Sequence, residues 1–453
     1  MQKRENRIWL CLAHMSGNEM KFVKEAFDTN WVVPLGPNVN GFEDDLKRFV
    51  DSVKPNTQGP ARCPFADNCE DTPAADCPLQ STTTQPKPHE IVALSSGTAA
   101  VHLSLIACGV KPGDEVIVQD FTFCASSHPV TYLGATPVFV DSERDSWNMD
   151  PEILEEAIRD RIAKTGKKPK AIVPVALYGM PYQIDRILEV ANRYGIPVIE
   201  DAAEGMGSRW CGRVLGTFGV YGILSFNGNK MITTSGGGAL ICPDKAAKNE
   251  IMWYATQARD AYPYYQHSSI GYNYRLSNVC AGIGRGQMTV LDEHIAHHQK
   301  LAALYDELLK DVKGVTFHRN PDDRYDSNYW LNTITLDPSL KVVGEELAYK
   351  QVITKAIGGA AGVIHAVDTP TTDCQPNNNV EAMRMGLDAL NIEARPLWKP
   401  MHKQPIYQHN PAYVSGVAES LFRVGLCLPS GPYVTEDDVR YIVDAIKSLI
   451  ITD

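Results

Sequence analysis

Lys230 lies in the run Ser225–Gly238, SFNGNKMITTSGGG, between the apolar stretches YGILSF and GALIC. A lysine is ordinarily a solvated surface charge, but one flanked by Met231, Ile232 and a turn of small and amide residues is poorly placed for that. Its amine could serve as a covalent anchor or a proton carrier. The three glycines Gly236, Gly237 and Gly238 point to close backbone approach or to positive φ. Upstream, in VIEDAAEGMGS, an apolar strand runs straight into Glu200 and Asp201, with Glu204 just beyond. A carboxylate there caps a helix, faces water or meets a cation, because burying it alone costs several kcal/mol. A protonated pyridine nitrogen would be such a cation.

Two further segments have a similar setting. In Ser95–Ala100, SSGTAA, a strand passes into a helix, and the free N–H groups of a helix start bind phosphate. The plainer reading is a cap by Ser96 or Thr98. Asp120–Phe123, DFTF, follows the strand EVIVQ. Phe123 could stack on a flat ring, although a Phe at a strand end more often joins the core.

The elements that must position these residues alternate from about residue 91. They run IVALS, a helix from Gly97 to Cys108, EVIVQ, a helix starting near Ser126, PVFVD, AIVPVAL, a helix over Asp185–Tyr194, PVIED, YGILSF and GALIC. Strands alternating with helices predict an α/β fold with a mostly parallel central sheet, whose ligands sit at the carboxyl ends of the strands. Past about residue 260 the pattern turns helical over Leu276–Leu309. It then becomes a smaller α+β unit ending in a helix over Thr435–Leu449. The division predicted is 1–260 for an N-terminal segment and large domain, and 261–453 for a smaller C-terminal domain. Residues 55–90, rich in Pro, Thr, Asp and Cys, lack either period and read as an insertion, a mobile lid or a partly disordered stretch. Cys63, Cys69 and Cys77 lie in it, yet with His89 their spacing matches no usual zinc pattern, so no metal is expected.

The 453 residues are 44% hydrophobic and 21% charged, with a net charge of -11. That balance speaks against a nucleic-acid partner, which would need a basic face. No apolar run reaches the roughly 18 residues of a membrane span, and the N-terminus lacks a secretory pattern. Eleven cysteines in such a chain read as reduced thiols, and a cytoplasmic protein is expected.

Taken together, the four segments resemble those of the DegT/DnrJ group of sugar-nucleotide aminotransferases, a branch of the aspartate-aminotransferase fold (fold type I). The resemblance extends over nearly the whole chain outside Pro55–Glu90 and about residues 340–390. SFNGNKMITTSGGG, ATQAR at 255–259, GYNYRLSNV at 271–279, ARPLWKPMH at 394–402 and CLPSG at 427–431 are most similar to the UDP-N-acetylbacillosamine transaminases within it. The resemblance implies pyridoxal 5'-phosphate as cofactor, passing through pyridoxamine 5'-phosphate, held covalently by Lys230. Asp201 would partner the ring nitrogen. Gly97, Thr98 and Ser225 would hold the phosphate, and Phe123 would stack on the ring. Glu204 stands where relatives often carry Gln or His near the phenolic oxygen. Asn273 would reach the phosphate from a neighbouring subunit, implying a homodimer with shared sites. Arg395, His402 and Trp31 are the expected substrate contacts. The implied reaction moves an amino group from L-glutamate to C4 of a UDP-linked 4-keto-6-deoxy-N-acetylhexosamine. Another nucleotide-linked keto sugar is the nearest alternative. A keto-sugar dehydratase of similar sequence would carry histidine in place of Lys230, and a non-catalytic regulator could dispense with Lys230 or Asp201.

Overall fold

The computed structural model describes residues 1–54, 88–349 and 374–451. Most of the 55–90 segment, Cys63, Cys69 and Cys77 included, lies outside the described residues; His89 is within them and pairs with Asp51 at 2.7 Å.

Apolar runs at the predicted places form the central sheet. Its order is Ala412–Tyr413, Thr136–Val140, Glu115–Gln119, Ile172–Val173, Ile199–Asp201, Tyr221–Ser225, Gly238–Cys242, Glu90–Leu94. The pairings Ile172↔Val198 and Val175↔Asp201 join its two halves. All neighbours are parallel except Gly238–Cys242, which runs antiparallel to both of its neighbours. The reason is visible in the chain: no helix intervenes between Ser225 and Gly238, and without a crossover the strand must return in the opposite sense.

The covering helices carry their own start and stop signals. Pro151–Thr165 begins with Asp150 accepting from Glu152 N and Ile153 N, has Pro151 in its first turn and ends at Gly166, φ 69°. These satisfy the orphaned N–H groups and supply the left-handed exit residue. Gly97–Ala107 is capped by Ser96, whose hydroxyl accepts from Ala99 N at 3.0 Å. It is buried for most of its length, as an almost wholly apolar helix must be. The helix expected near Ser126 is a short 3-10 turn, Cys124–Ser126, followed by His128–Tyr132.

The expected helical stretch Leu276–Leu309 is two helices, Asn278–Met288 and Leu291–Leu309. At the break Thr289 returns its hydroxyl to Gly286 O at 2.6 Å, a local bond that competes with the helix ladder. The glycines of the first helix admit a neighbour: a Cβ on Gly286 would lie 2.6 Å from Glu19 Cα, in the helix Glu19–Asp28 packed across it.

A second apolar core gathers residues from Leu301 onward around an antiparallel sheet, Val315–Phe317, Asn332–Leu336, Gly425–Leu428 and Arg395–Pro396, with the helices Leu291–Leu309, Asn378–Ala389 and Glu436–Leu449. Ile8 joins this core and pairs with Ile392. The N-terminal segment then continues past Leu10, whose N–H donates to Glu393 Oε2 at 3.0 Å and whose carbonyl accepts from Ser430 N at 2.9 Å. Among the described residues no helix is long and apolar enough to cross a membrane, and no cysteine is in a disulfide.

Candidate active site

The strand Tyr221–Ser225 delivers the chain into a turn in which Lys230 N donates to Asn227 O at 2.9 Å. From there the Lys230 side chain points inward, and its Nζ lies 3.6 Å from Glu204 Oε1 and 4.0 Å above the centre of the Trp330 ring. The glycines behind it serve close approach. A Cβ on Gly238 would come within 2.4 Å of Gly97 N and Ser96 C, and the positive φ of this turn belongs to Ser235 instead, at 73°. Gly238 therefore draws the lysine-bearing turn against the start of the helix Gly97–Ala107.

Asp201 ends the adjacent strand and is only 5% exposed. Ser126 Oγ donates to its Oδ2 at 2.6 Å and Ala203 N to its Oδ1 at 3.1 Å. Burial pushes its carboxyl above the ordinary range, opposed by these two hydrogen bonds and by the Lys230 charge. Glu204, equally buried, accepts from Tyr178 N at 2.7 Å through Oε2. Burial raises it too, against the pull of Lys230, while the Asp201 charge pushes it further up. Two carboxyls and one amine thus share a nearly dry space, where Coulomb forces are far stronger than in water. Glu200 takes no part. It is wrapped by the N–H groups of Gly216, Phe218 and Gly219 and holds that turn.

The phosphate-type cradle assembles beside this cluster. Ser225 packs on the helix start, so that a Cβ added to Gly97 would lie 3.1 Å from Ser225 Cβ. Ala99 N is satisfied by Ser96, whereas the N–H groups of Gly97 and Thr98 have no acceptor among the described residues. Phe123 is 49% exposed, with its ring 5.3 Å from that of Trp398. The Trp398 ring in turn lies 6.1 Å from the Tyr178 ring, and the Trp398 backbone N–H donates to the Tyr178 hydroxyl at 2.8 Å.

His402 is fixed rather than free. Its Nδ1 is 2.7 Å from Oδ2 of the fully buried Asp120, and its backbone N–H donates to Oδ1 at 2.8 Å. Arg395 is paired with Glu393 through Nε at 3.0 Å and stands opposite Cys427 in the small sheet. The Cys427 thiol feels the charges of both Glu204 and Arg395. Asn273 is exposed, next to Tyr274, whose carbonyl accepts from Ser95 N at 2.8 Å. Trp31 is exposed, and its carbonyl accepts from Asn278 Nδ2 at 3.0 Å.

Sequence reasoning did not single out Trp330, Tyr178, Ser126, Trp398 or the N-terminal segment. Ser126 had a signal, since it stands in the small-residue run after Phe123, and Tyr178 follows an apolar strand as the named residues do. Nothing local marks Trp330. Cys11 belongs to the N-terminal segment, and its thiol, pushed up to about 12 by burial, is held back by the charge of Lys230.

The DegT/DnrJ/EryC1/StrS aminotransferase family model matches residues 86–361 and 346–447. EpsN of Bacillus subtilis (strain 168), a provisionally named pyridoxal phosphate-dependent aminotransferase, is 39% identical over 98% of this chain and 96% of its own. GDP-perosamine synthase of Caulobacter vibrioides is 31% identical over 98% and 99% respectively. A crystal structure of a DegT DnrJ EryC1 StrS aminotransferase from Brucella abortus superposes with a TM-score of 0.74 at 26% identity, covering 95% of each chain.

Proposed function

This chain belongs to the DegT/DnrJ/EryC1/StrS aminotransferase family, and from that premise we propose that it is a pyridoxal phosphate-dependent enzyme. It transfers the amino group of L-glutamate to C4 of a UDP-linked 4-keto-6-deoxy-N-acetylhexosamine, giving UDP-4-amino-4,6-dideoxy-GlcNAc and 2-oxoglutarate. One observation carries the reading: an amine, Lys230, and a buried carboxylate, Asp201, come from different strand ends into one dry cluster beside an unsatisfied helix start.

The residues fit the cofactor. Open N–H groups at Gly97 and Thr98, with the Ser225 hydroxyl, suit a phosphate. A buried carboxylate with no cationic side chain hydrogen-bonded to it suits a protonated ring nitrogen. When bound, the cofactor supplies an electron sink for the carbon that loses its proton. The protein supplies the rest. Asp201 keeps the ring nitrogen protonated through a fixed charge. Lys230 would hold the cofactor covalently and, once freed by the amino donor, would carry a proton between carbons. Delivery from one side fixes the configuration at C4, and the shared use of one site by both substrates gives ping-pong kinetics.

Arg395, free to exchange Glu393 for a substrate carboxylate or diphosphate, is proposed as a two-pronged grip. His402, with Nδ1 locked on Asp120, offers Nε2 to the substrate, and Trp31 is a further contact. We place Asn273 at the phosphate of a neighbouring subunit's cofactor in a homodimer. In support, the segment preceding it exposes Tyr262, Tyr264, Tyr265 and Ile270, the kind of apolar patch that a second copy covers. The relative named GDP-perosamine synthase favours, as a second reading, a GDP-linked keto sugar. A panel of UDP-, GDP- and dTDP-linked keto sugars incubated with glutamate, with the product configuration read by NMR, decides. The UDP-linked 4-keto-N-acetyl sugar is expected to turn over fastest; turnover of the GDP sugar alone replaces the first reading by the second.

A further inference from the structure

Resting on the pyridoxal phosphate reading, we infer that Glu204 and Trp330 form a fixed berth for the Lys230 nitrogen, holding it at the reacting carbon whenever its bond to the cofactor is broken and stabilising positive charge on it when that bond is made. The berth has two walls, the Glu204 carboxylate at 3.6 Å and the Trp330 ring face at 4.0 Å. A carboxylate and an aromatic face both attract an ammonium, the second most strongly where water is scarce.

Both walls are tied to the same frame. Asn328 Nδ2 donates to Glu204 O and Met206 O, each at 2.9 Å, and Asn328 Oδ1 accepts from Trp330 N at 2.8 Å. Trp330 Nε1 donates to Asn229 O at 2.6 Å, one residue before the lysine. The outer oxygen of Glu204 is pinned by Tyr178 N, and Tyr178 adopts φ 55° to present that N–H, a conformation costly for a bulky residue. Gly179 follows at φ 96°, and a Cβ there would lie 1.9 Å from Asn328 Oδ1. Four separate stretches therefore converge to fix one carboxylate oxygen and one indole face on a single amine.

The berth gives the freed lysine a task that balances. Lys230 leaves the cofactor as a neutral amine, takes the proton from the donor's α-carbon and becomes an ammonium held by Glu204 and Trp330. It then returns that proton to the next carbon, and no other acid or base is consumed. The charged or titratable groups that face the pair are Asp201 and the Cys11 thiol toward Lys230, and Tyr178 and the Cys427 thiol toward Glu204.

The test is a pH titration of the visible absorption of the cofactor-loaded protein for wild type, E204Q, E204D, W330F and W330L. Gln keeps the Tyr178 hydrogen bond and removes only the charge. The pH midpoint of the colour change should therefore fall by about one pH unit in E204Q. It should fall by less in W330L, and stay near the wild-type value in E204D and W330F, which restore the charge and the ring face. Coloured E204Q and W330L proteins with wild-type midpoints would overturn the berth while leaving the cofactor reading intact. A wild-type protein that never takes up colour overturns both.

Discussion

Replacing Asp201 by Asn should make the cofactor-free protein slightly more stable and its grip on the cofactor much weaker. The carboxylate is buried with two hydrogen bonds and no hydrogen-bonded cation. Asn can keep both bonds: its Oδ1 accepts from Ala203 N, and its Nδ2 donates to Ser126 Oγ, which turns its own hydrogen to Thr122 Oγ1, 2.9 Å away. What is lost is a charge held out of water. The change recovers the desolvation cost of one buried charge but forfeits its attraction to the nearby Lys230, so the net gain is small, on the order of 1 kcal/mol. With about 2.1 cal/mol/K per residue over 453 residues, that is a rise in Tm of about 1 °C. The advantage depends on pH. The unfolded carboxyl ionises near pH 3.9, and burial raises it in the fold, so wild-type stability falls as pH rises past about 3.9 and then levels off. The gain of the variant is present at pH 7 and vanishes in acid. Loss of a charge-assisted hydrogen bond to the ring nitrogen costs about 1.5–3 kcal/mol, or roughly 10- to 150-fold in cofactor affinity. Calorimetry of the cofactor-free forms at pH 4 and 7, with a cofactor titration, measures all three quantities. A variant that is destabilised at pH 7 but binds the cofactor as tightly as wild type would refute the reasoning.

Lys230→Ala should lose at least about 10^3-fold in turnover with an unchanged circular dichroism spectrum; near-normal activity would remove the role assigned to it. Gly97→Ala places a methyl 3.1 Å from Ser225 Cβ and should keep the fold while weakening cofactor binding by on the order of tenfold, read by equilibrium dialysis. His298 is fully buried, with burial pushing its imidazole down to about 4 and Nδ1 3.0 Å from Tyr329 O. The unfolded side chain binds its proton near 6.5, so this group withdraws up to about 3 kcal/mol of stability as pH falls from 6.5 toward 4. His298→Asn, which can keep the bond to Tyr329, should flatten that part of the acid limb in urea denaturation series.

The strands, most of their helices and the residues at the strand ends were legible because each rests on a local pattern, an apolar run, a capping Ser96 or a helical period such as Asp185–Tyr194; the helix Pro151–Thr165 was not singled out, although Asp150 and Gly166 mark its two ends. The antiparallel return of Gly238–Cys242 was not foreseen within the mostly parallel sheet; it follows from a connection that holds no helix between Ser225 and Gly238. Less legible was anything that depends on distant partners. The break at Thr289 arises from a side-chain bond back to Gly286, within a stretch whose apolar period continues unbroken. Ser235, not a glycine, takes the left-handed conformation in the lysine turn, because Gly237 and Gly238 are needed for the space they leave. Trp330 lies 100 residues from Lys230 in sequence, with nothing around it to mark it as other than core. The N-terminal segment acquires its place by pairing with distant partners, among them Ile392, Glu393, Ser430 and Gln287. His402 was expected as a substrate contact, while its bond to Asp120 shows that half of its ring is committed to holding the turn after Glu115–Gln119.

The central claim is that Lys230 and Asp201 hold pyridoxal phosphate in a site that accepts an amino group from glutamate. It is tested most directly by the absorption spectrum of the cofactor-saturated protein before and after glutamate is added. A visible band that bleaches with stoichiometric release of 2-oxoglutarate, and that returns when the keto-sugar nucleotide follows, is the predicted result. A colourless protein, or a band indifferent to glutamate, would contradict it.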